Sequence, residues 1–231
     1  MRDLRRKGLA LTIILSLLVA FAAYADTFLL DYSGFDWVEW GAFGNPGTCY
    51  TAQGYVPAVN PTYINADYGV HEYTFLLDYS CQVSKQVFGT TAVYTYAAST
   101  FDVYCDSLAT GTAATFGTNP VWPASTTTFV DGECILGADF TGDLVFVVNT
   151  STGNGNLQGN VDWVRGTQLG NIPVSQRSMS LTLAGLVHDG ANVFVPQGYE
   201  WQIDGQVFIQ DPVPTEKTSW GQLKHSFTEG I

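Results

Sequence analysis

Tryptophan and carboxylate residues are the side chains of this 231-residue chain whose type and spacing best suit ligand binding. Trp37 and Trp40 stand three residues apart with Asp36 and Glu39 beside them, and Trp122 lies in a proline-flanked segment. A flat aromatic ring can stack on the face of a sugar, while nearby carboxylates accept hydrogen bonds from its hydroxyl groups. These five residues therefore predict a polysaccharide-binding surface. The alternative is that the rings pack in the core, as large aromatic side chains commonly do in β proteins.

A second group of oxygen-bearing side chains suggests a calcium ion. Asp131, Asp139 and Asp143 precede residues 149–156, a turn rich in Gly, Asn, Ser and Thr. Carboxylate, amide and main-chain oxygens are the ligands that Ca²⁺ prefers, although no DxDxDG loop occurs here. A structural calcium is the one cofactor that the sequence suggests, and we expect no other.

Catalytic groups are harder to assemble from this sequence. No Gly-x-Ser-x-Gly segment marks a serine nucleophile, and His71 and His188 stand in turn-like segments that favour solvated histidines. Carboxylate pairs could hydrolyse a glycoside, but a chain with 21 acidic residues contains such pairs by chance. The pairs are Asp36 with Glu39, Asp102 with Asp106, Asp131 with Glu133, and Asp139 with Asp143. We expect a protein that is not an enzyme, with a secreted hydrolase as the lesser alternative.

The chain contains four cysteines, Cys49, Cys81, Cys105 and Cys134. An even number in an exported chain predicts two disulfide bonds, and three pairings are possible. We favour Cys49–Cys81 and Cys105–Cys134, because the members of each pair are close in sequence and lie in or beside strand-like runs. Their spacing matches no zinc module.

The N-terminal segment has the features of a secretory signal peptide. Basic residues are followed by an apolar run at residues 8–23 and by Ala-Tyr-Ala, which places the cleavage site after Ala25. The run of 16 residues is shorter than the roughly 18 to 20 that span a bilayer. The sequence thus predicts a signal peptide at 1–25, an extracellular or cell-surface location, and no membrane span in the mature chain.

The charge balance excludes one class of partner. Residues 1–25 hold four of the nine Lys and Arg residues and one of the 21 acidic residues, which leaves five basic and 20 acidic side chains in the mature chain. So negative a surface repels phosphate backbones, and we expect no binding to nucleic acid.

Strand-like segments position these residues. Apolar and polar residues alternate in residues 92–106 and 143–163, each of which we interpret as a hairpin, the first with its bend near Ser99. Gly, Pro and Asn punctuate many such short runs, and no long amphipathic helix interrupts them. The predicted fold is all-β, an antiparallel β-sandwich of the jelly-roll or immunoglobulin-like two-sheet type at residues 26–210.

The end of the chain differs from this domain. Residues 211–231 form a Pro-rich linker and a short amphipathic tail, in which Trp220, Leu223 and Phe227 fall on one stripe of a helix beside Lys224. So short a helix is marginal alone in water. It either docks on its own domain or serves as a sorting or attachment signal.

Two segments carry a resemblance to known proteins. The tail SWGQLK after YEWQIDGQVFI and prolines resembles the ends of a loose group of exported bacterial β-rich surface proteins that finish in Trp-Gly-x-x-Lys. A hairpin pattern of many exported surface proteins maps onto Phe129, Asp131, Gly132, Gly153, Gly155 and Gly159. The resemblance covers about a third of the chain and implies a surface-associated protein without an assigned activity.

Together, these features predict a secreted or cell-surface, non-enzymatic protein with a structural or adhesive role. Its expected partner is a cell-surface component or a polysaccharide. A carbohydrate-binding module that uses exposed tryptophans is the alternative.

Overall fold

The computed structural model describes residues 26–40, 45–97, 99–116, 127–178, 180–188, 195–196 and 198–209. Within the chain, Asp26–Gln210 forms one compact unit. The predicted signal peptide at 1–25, Trp122, and the tail residues Trp220, Leu223, Lys224 and Phe227 lie outside the described residues.

Ten strands make up almost all of the described regular structure. They are β1 (Thr27–Trp40), β2 (Cys49–Val59), β3 (His71–Phe88), β4 (Thr91–Tyr96), β5 (Thr100–Ser107), β6 (Glu133–Phe140), β7 (Leu144–Asn149), β8 (Asn154–Arg165), β9 (Ser180–His188) and β10 (Trp201–Ile209). One helical turn, α1 (Thr127–Val130), precedes β6, and two 3₁₀ turns, Leu169–Asn171 and Val174–Gln176, connect β8 to β9.

Every pair of hydrogen-bonded neighbours in the sheet is antiparallel. β4 and β5 follow one another along the same long strand, β3, from Phe88 opposite Thr91 to His71 opposite Ser107. β6 and β7 likewise follow one another along β8. Counted in this way, eight strands surround one axis, and β10 closes the ring by pairing with β1.

The structure is all-β, but the expected two-sheet sandwich is wrong, because the sheet closes into an eight-stranded antiparallel barrel. Alternating apolar and polar residues show which face of each strand is buried. They do not show whether the sheet closes on itself, since that depends on the register between the first and last strands. Here Thr27 lies opposite Ile209 and Asp36 opposite Trp201, which joins β1 to β10 along nearly its whole length.

One of the two expected hairpins is confirmed and the other is wrong. The segment 143–163 forms the β7–β8 hairpin, with Asn149 opposite Asn154. The segment 92–106 does not fold on itself, because its two arms, β4 and β5, both pair with β3. An interruption of three residues between two alternating runs looks the same in sequence whether the chain reverses or continues.

Aromatic and aliphatic side chains fill the inside of the barrel. The ring of Tyr32 contacts the rings of Phe75 and Phe101 at centroid distances of 5.1 and 5.2 Å. A hydrogen bond of 2.8 Å joins its buried hydroxyl to that of Thr182. A Cβ at Gly205 would lie 2.5 Å from Tyr32 Cζ, so only glycine leaves room for this ring. The barrel thus encloses a packed core.

Two of the four cysteines form a disulfide bond and the other two are free. The Cys49–Cys81 disulfide is confirmed, and it joins residues that lie directly opposite each other on β2 and β3. Cys105 and Cys134 are free thiols, contrary to the favoured pairing. Cys134 lies opposite Tyr104, the residue next to Cys105, so the two thiols point to opposite faces of the sheet.

Candidate functional site

Trp37 lies in a small core outside the barrel and is only 3% exposed. Its indole ring packs edge-on against Tyr199, with centroids 5.7 Å apart, and it shares this core with Val195. Phe35 and Phe116 complete the cluster. A ring covered in this way cannot stack on a sugar, so the packing alternative holds for Trp37.

Asp36, the neighbour of Trp37, is 1% exposed and points into the barrel. Burial raises the pKa of Tyr96 above its usual value, and the neighbouring Tyr50 and Asp36 raise it further, which places this carboxylate among interior phenols. Asp36 and Trp37 therefore belong to opposite faces of β1 and cannot form one site. The side chains of Glu39 and Trp40 lie outside the described residues.

The chain itself covers the outer surface of β1, β2 and β3, which we call the covered face. Residues 112–116 and α1 cross it, and the Tyr55 hydroxyl donates a 2.6 Å hydrogen bond to the Ala114 carbonyl. Tyr199 reaches the same layer from the other side and donates to the Phe116 carbonyl at 2.8 Å. The Thr74 hydroxyl donates to the main-chain oxygen of α1. No ligand can reach the sheet here without displacing this layer.

The three aspartates proposed for calcium do not come together. Asp131 precedes β6 and Asp143 follows it, so a strand of eight residues separates them by about 26 Å. Asp139 instead accepts a hydrogen bond from Arg165. Among the described residues, no group of three or more His, Cys, Asp or Glu side chains could hold a metal ion.

Two of the carboxylates considered for hydrolysis, Asp102 and Asp139, form ion pairs with one arginine. Arg165 lies between Asp102 and Asp139, with nitrogen–oxygen distances of 2.7 and 2.5 Å. Burial raises the pKa of Asp102, and the guanidinium of Arg165 opposes that shift. A Cβ at Gly137 would lie 2.4 Å from the Arg165 side chain, so the absence of a side chain at Gly137 leaves room for the arginine to lie over this residue. The three side chains join β5, β6 and β8 and have a structural role.

His71, the one histidine whose side chain is described, has no catalytic surroundings. Its ring lies edge-on to Tyr73 at a centroid distance of 6.3 Å. Its Nδ1 is buried without a hydrogen-bond partner, so no described serine or carboxylate orients it as a base. His188 ends β9, and its side chain lies outside the described residues.

A groove of about 560 Å³ lies on the opposite outer surface, formed by β8, β9, β10 and the start of β1, which we call the open face. Its outward-facing residues form two rows across the strands. The first row is Asn156, Gly185, Asp204 and Ser33; the second is Gln158, Leu183, Gln206 and Asp31. Phe208 adds an aromatic ring to the lining.

Gly185 lies in the middle of the groove and keeps it open. A Cβ at this position would meet a single atom within 4 Å, the Asp204 carbonyl oxygen at 3.9 Å. Leu183, 41% exposed, supplies an apolar floor beside it. Amide and carboxylate groups around an open apolar floor can bind a molecule that carries many hydroxyl groups.

The two carboxylates of the groove influence each other. Burial raises the pKa of Asp31, and the negative charge of Asp204 raises it further. A main-chain hydrogen bond from Tyr32 opposes these effects. The groove therefore holds a partly desolvated carboxylate, that of Asp31, close to a second negative charge, that of Asp204.

Sequence reasoning identified none of these groove residues as a site. Asn156, Gln158, Asp204 and Gln206 belong to the polar faces of alternating strands, which are typical of any half-exposed sheet. One signal was present, since these faces are rich in amides and poor in lysine. Gly185, inside an otherwise apolar strand, was the second.

Comparison with protein-family models, with characterised proteins and with solved structures finds no match to the chain. Among the described residues, no helix combines the length and the apolarity needed to cross a bilayer.

Proposed function

We propose that this protein is an exported, non-enzymatic protein of the cell surface that binds a polysaccharide in the groove of its open face and so has an adhesive role. The observation that carries the proposal is the groove itself, with its two rows of amide and carboxylate side chains around Gly185. Hydroxyl groups of a sugar both donate and accept hydrogen bonds, and amide side chains offer both functions.

The position of the groove on regular strands supports a binding role. All four strands of the open face are paired on both sides, so their backbones are held rigidly. Binding groups on rigid strands lose little conformational entropy when a ligand arrives. The Cys49–Cys81 disulfide and the signal-peptide pattern support the proposed export.

A role without catalysis is supported by the positions of three carboxylates that the sequence offered for hydrolysis. Asp102 and Asp139 are engaged by Arg165, and Asp36 is enclosed in the barrel. The groove contains neither a histidine nor a cysteine among its lining residues. Its polar groups are suited to hold a ligand in place.

The test is a pull-down of the full chain, processed by its export host, with a panel of insoluble polysaccharides. We expect at least one polysaccharide to retain the protein and Gly185→Val to lower the affinity about tenfold or more by filling the groove. Valine suits a strand, and the open space above Gly185 accepts it without a clash.

Gly170→Val is the matched control, because Gly170 also has open space around its Cβ direction and lies in the 3₁₀ turn Leu169–Asn171, which contributes nothing to the groove lining. It should bind as the unmodified protein does. The proposal fails if no polysaccharide retains the protein, or if folded Gly185→Val binds as well as the control.

A further inference from the structure

The charges in the groove narrow the class of polysaccharide, if the proposed function holds. Asp31 on β1 and Asp204 on β10 are diagonal neighbours, since Asp31 lies opposite Gln206, two residues after Asp204. Diagonal neighbours of this kind are about 7–8 Å apart, so a small cation between the two side chains can contact both. β8 and β9 contribute amides and a leucine to the lining, and no Lys, Arg or His is among the lining residues.

Among the described residues, no Lys, Arg or His forms a salt bridge with either carboxylate. Both salt bridges among the described residues belong to Arg165, which lies on another part of the barrel. Burial is the larger cause of the raised pKa of Asp31, and the negative charge of Asp204 adds to it, so holding the two like charges close together costs folding free energy. Paired carboxylates without a protein cation are complementary to a positively charged ligand.

We infer that the groove selects a polysaccharide that contains unacetylated amino sugars, with one protonated amine held between Asp31 and Asp204. An ammonium group has three hydrogen-bond donors and can share them between two carboxylates. The amides of Asn156 and Gln158 then receive hydroxyl groups of the neighbouring sugar units.

A lysine-rich peptide carries the same ammonium chemistry, and the topology argues against it. Extended peptides commonly bind by adding a strand to a free sheet edge, where main-chain hydrogen bonds supply the affinity. β8, β9, β10 and β1 are each paired on both sides, so the groove offers no such edge. Recognition here depends on side chains.

The experiment measures binding of the full chain to three soluble probes: the linear tetramer of glucosamine, the same tetramer fully N-acetylated, and tetralysine. Titration calorimetry at neutral pH should show that the glucosamine tetramer binds about tenfold more tightly than its acetylated form. The double variant Asp31→Asn, Asp204→Asn should remove this preference and retain binding of the acetylated tetramer.

A matched variant distinguishes binding by the two groove carboxylates from attraction by the overall negative charge of the protein. Asp131→Asn, Asp143→Asn removes the same charge from exposed turns outside the groove, and the preference should stay. A preference that falls equally in both double variants overturns the inference, as does tetralysine binding as tightly as the glucosamine tetramer. Equal binding of both tetramers overturns the inference but leaves the proposed function standing. If neither tetramer and no polysaccharide binds, the proposed function fails.

Discussion

The covered face and the open face of the barrel are built from the same alternating strands, yet they differ in what their outward residues do. On the covered face, aromatic side chains point outward and pack against segments of the same chain, which bury Trp37 and partly bury Phe35 and Tyr55. On the open face, amides and carboxylates point outward and border a groove. On the covered face, outward-facing aromatic residues therefore take part in intramolecular packing, whereas on the open face outward-facing amides border an accessible groove.

The difference matters for interpreting β proteins from their sequences. Tryptophans next to carboxylates have the composition of a sugar site, but a strand points them to opposite sides, as it does Asp36 and Trp37. A cluster that is compact in sequence is then divided by the sheet. The groove residues come from four strands, far apart in sequence, and the register alone brings them together.

The largest expected change in the free energy of unfolding comes from a test of whether Trp37 is a core residue. Trp37→Ala should lower the free energy of unfolding by about 3–5 kcal/mol, because it leaves a cavity against Tyr199 and Val195. Leu183→Ala on the open face removes a side chain that is 41% exposed and should cost no more than about 0.5–1 kcal/mol. Urea titrations of both variants measure the two costs.

If Trp37→Ala and Leu183→Ala lower the free energy of unfolding equally, the two faces do not differ in how their outward residues are packed. Conversely, if the Trp37→Ala protein keeps its stability and loses polysaccharide binding, the binding site lies on the covered face.

Removal of the disulfide should give the second-largest loss of stability. Cys49→Ser, Cys81→Ser should cost about 2–4 kcal/mol, because the bond closes a loop of 32 residues in the unfolded chain. It holds β2 to β3 under the covered face, so groove binding should persist wherever the variant remains folded. Thermal unfolding with and without reductant measures the cost.

Cys105→Ser, Cys134→Ser is the control for this experiment. Since both thiols are free, this variant should respond to reductant as the unmodified protein does. A loss of reductant sensitivity in the control would contradict the assignment of the disulfide.

The smallest effect concerns Asp31 in the groove. Its pKa is raised above 3.8 in the folded protein, so the native state binds a proton more readily than the unfolded state. The charged carboxylate thus lowers stability above its folded pKa, and this cost disappears as the pH falls towards the unfolded value. Asp31→Asn should therefore raise the melting temperature slightly at neutral pH, and the gain should vanish in acid.

Melting temperatures of both proteins, measured from pH 7 down to pH 3, test this expectation. Asp143→Asn, which removes one negative charge from an exposed turn outside the groove, serves as the comparison. A lower melting temperature for Asp31→Asn at neutral pH would show that the carboxylate stabilises the fold and would weaken the case for a ligand cation between Asp31 and Asp204.

Much of the secondary structure follows from local sequence. The alternation at residues 143–163 and the turn rich in Gly and Asn between its arms predict the β7–β8 hairpin, and the structure confirms it. The same rule fails at residues 92–106, because β3 is long enough to pair with both arms in succession. The length of the partner strand, a distant property, decided between reversal and continuation.

Most of the candidate site could not be predicted from the sequence. Burial of Trp37 depends on Tyr199 and Phe116, which lie 162 and 79 positions further along the chain. The groove depends on a register that places Asp31 beside Asp204 and Gly185 beside Asn156. The polar faces of β8 and β10 were recognisable, but nothing local distinguishes a polar face that borders a groove from one that only meets water.

The sequence by itself determined the all-β class and the inward face of most strands, because alternation along the chain is a local property. Tertiary structure alone decided that the sheet closes into a barrel, that Cys105 and Cys134 point apart, and that one outer face is covered while the other stays open. Each of these outcomes depends on which residues of distant strands lie opposite one another. That register is fixed by the packing of the whole core, and no single segment encodes it.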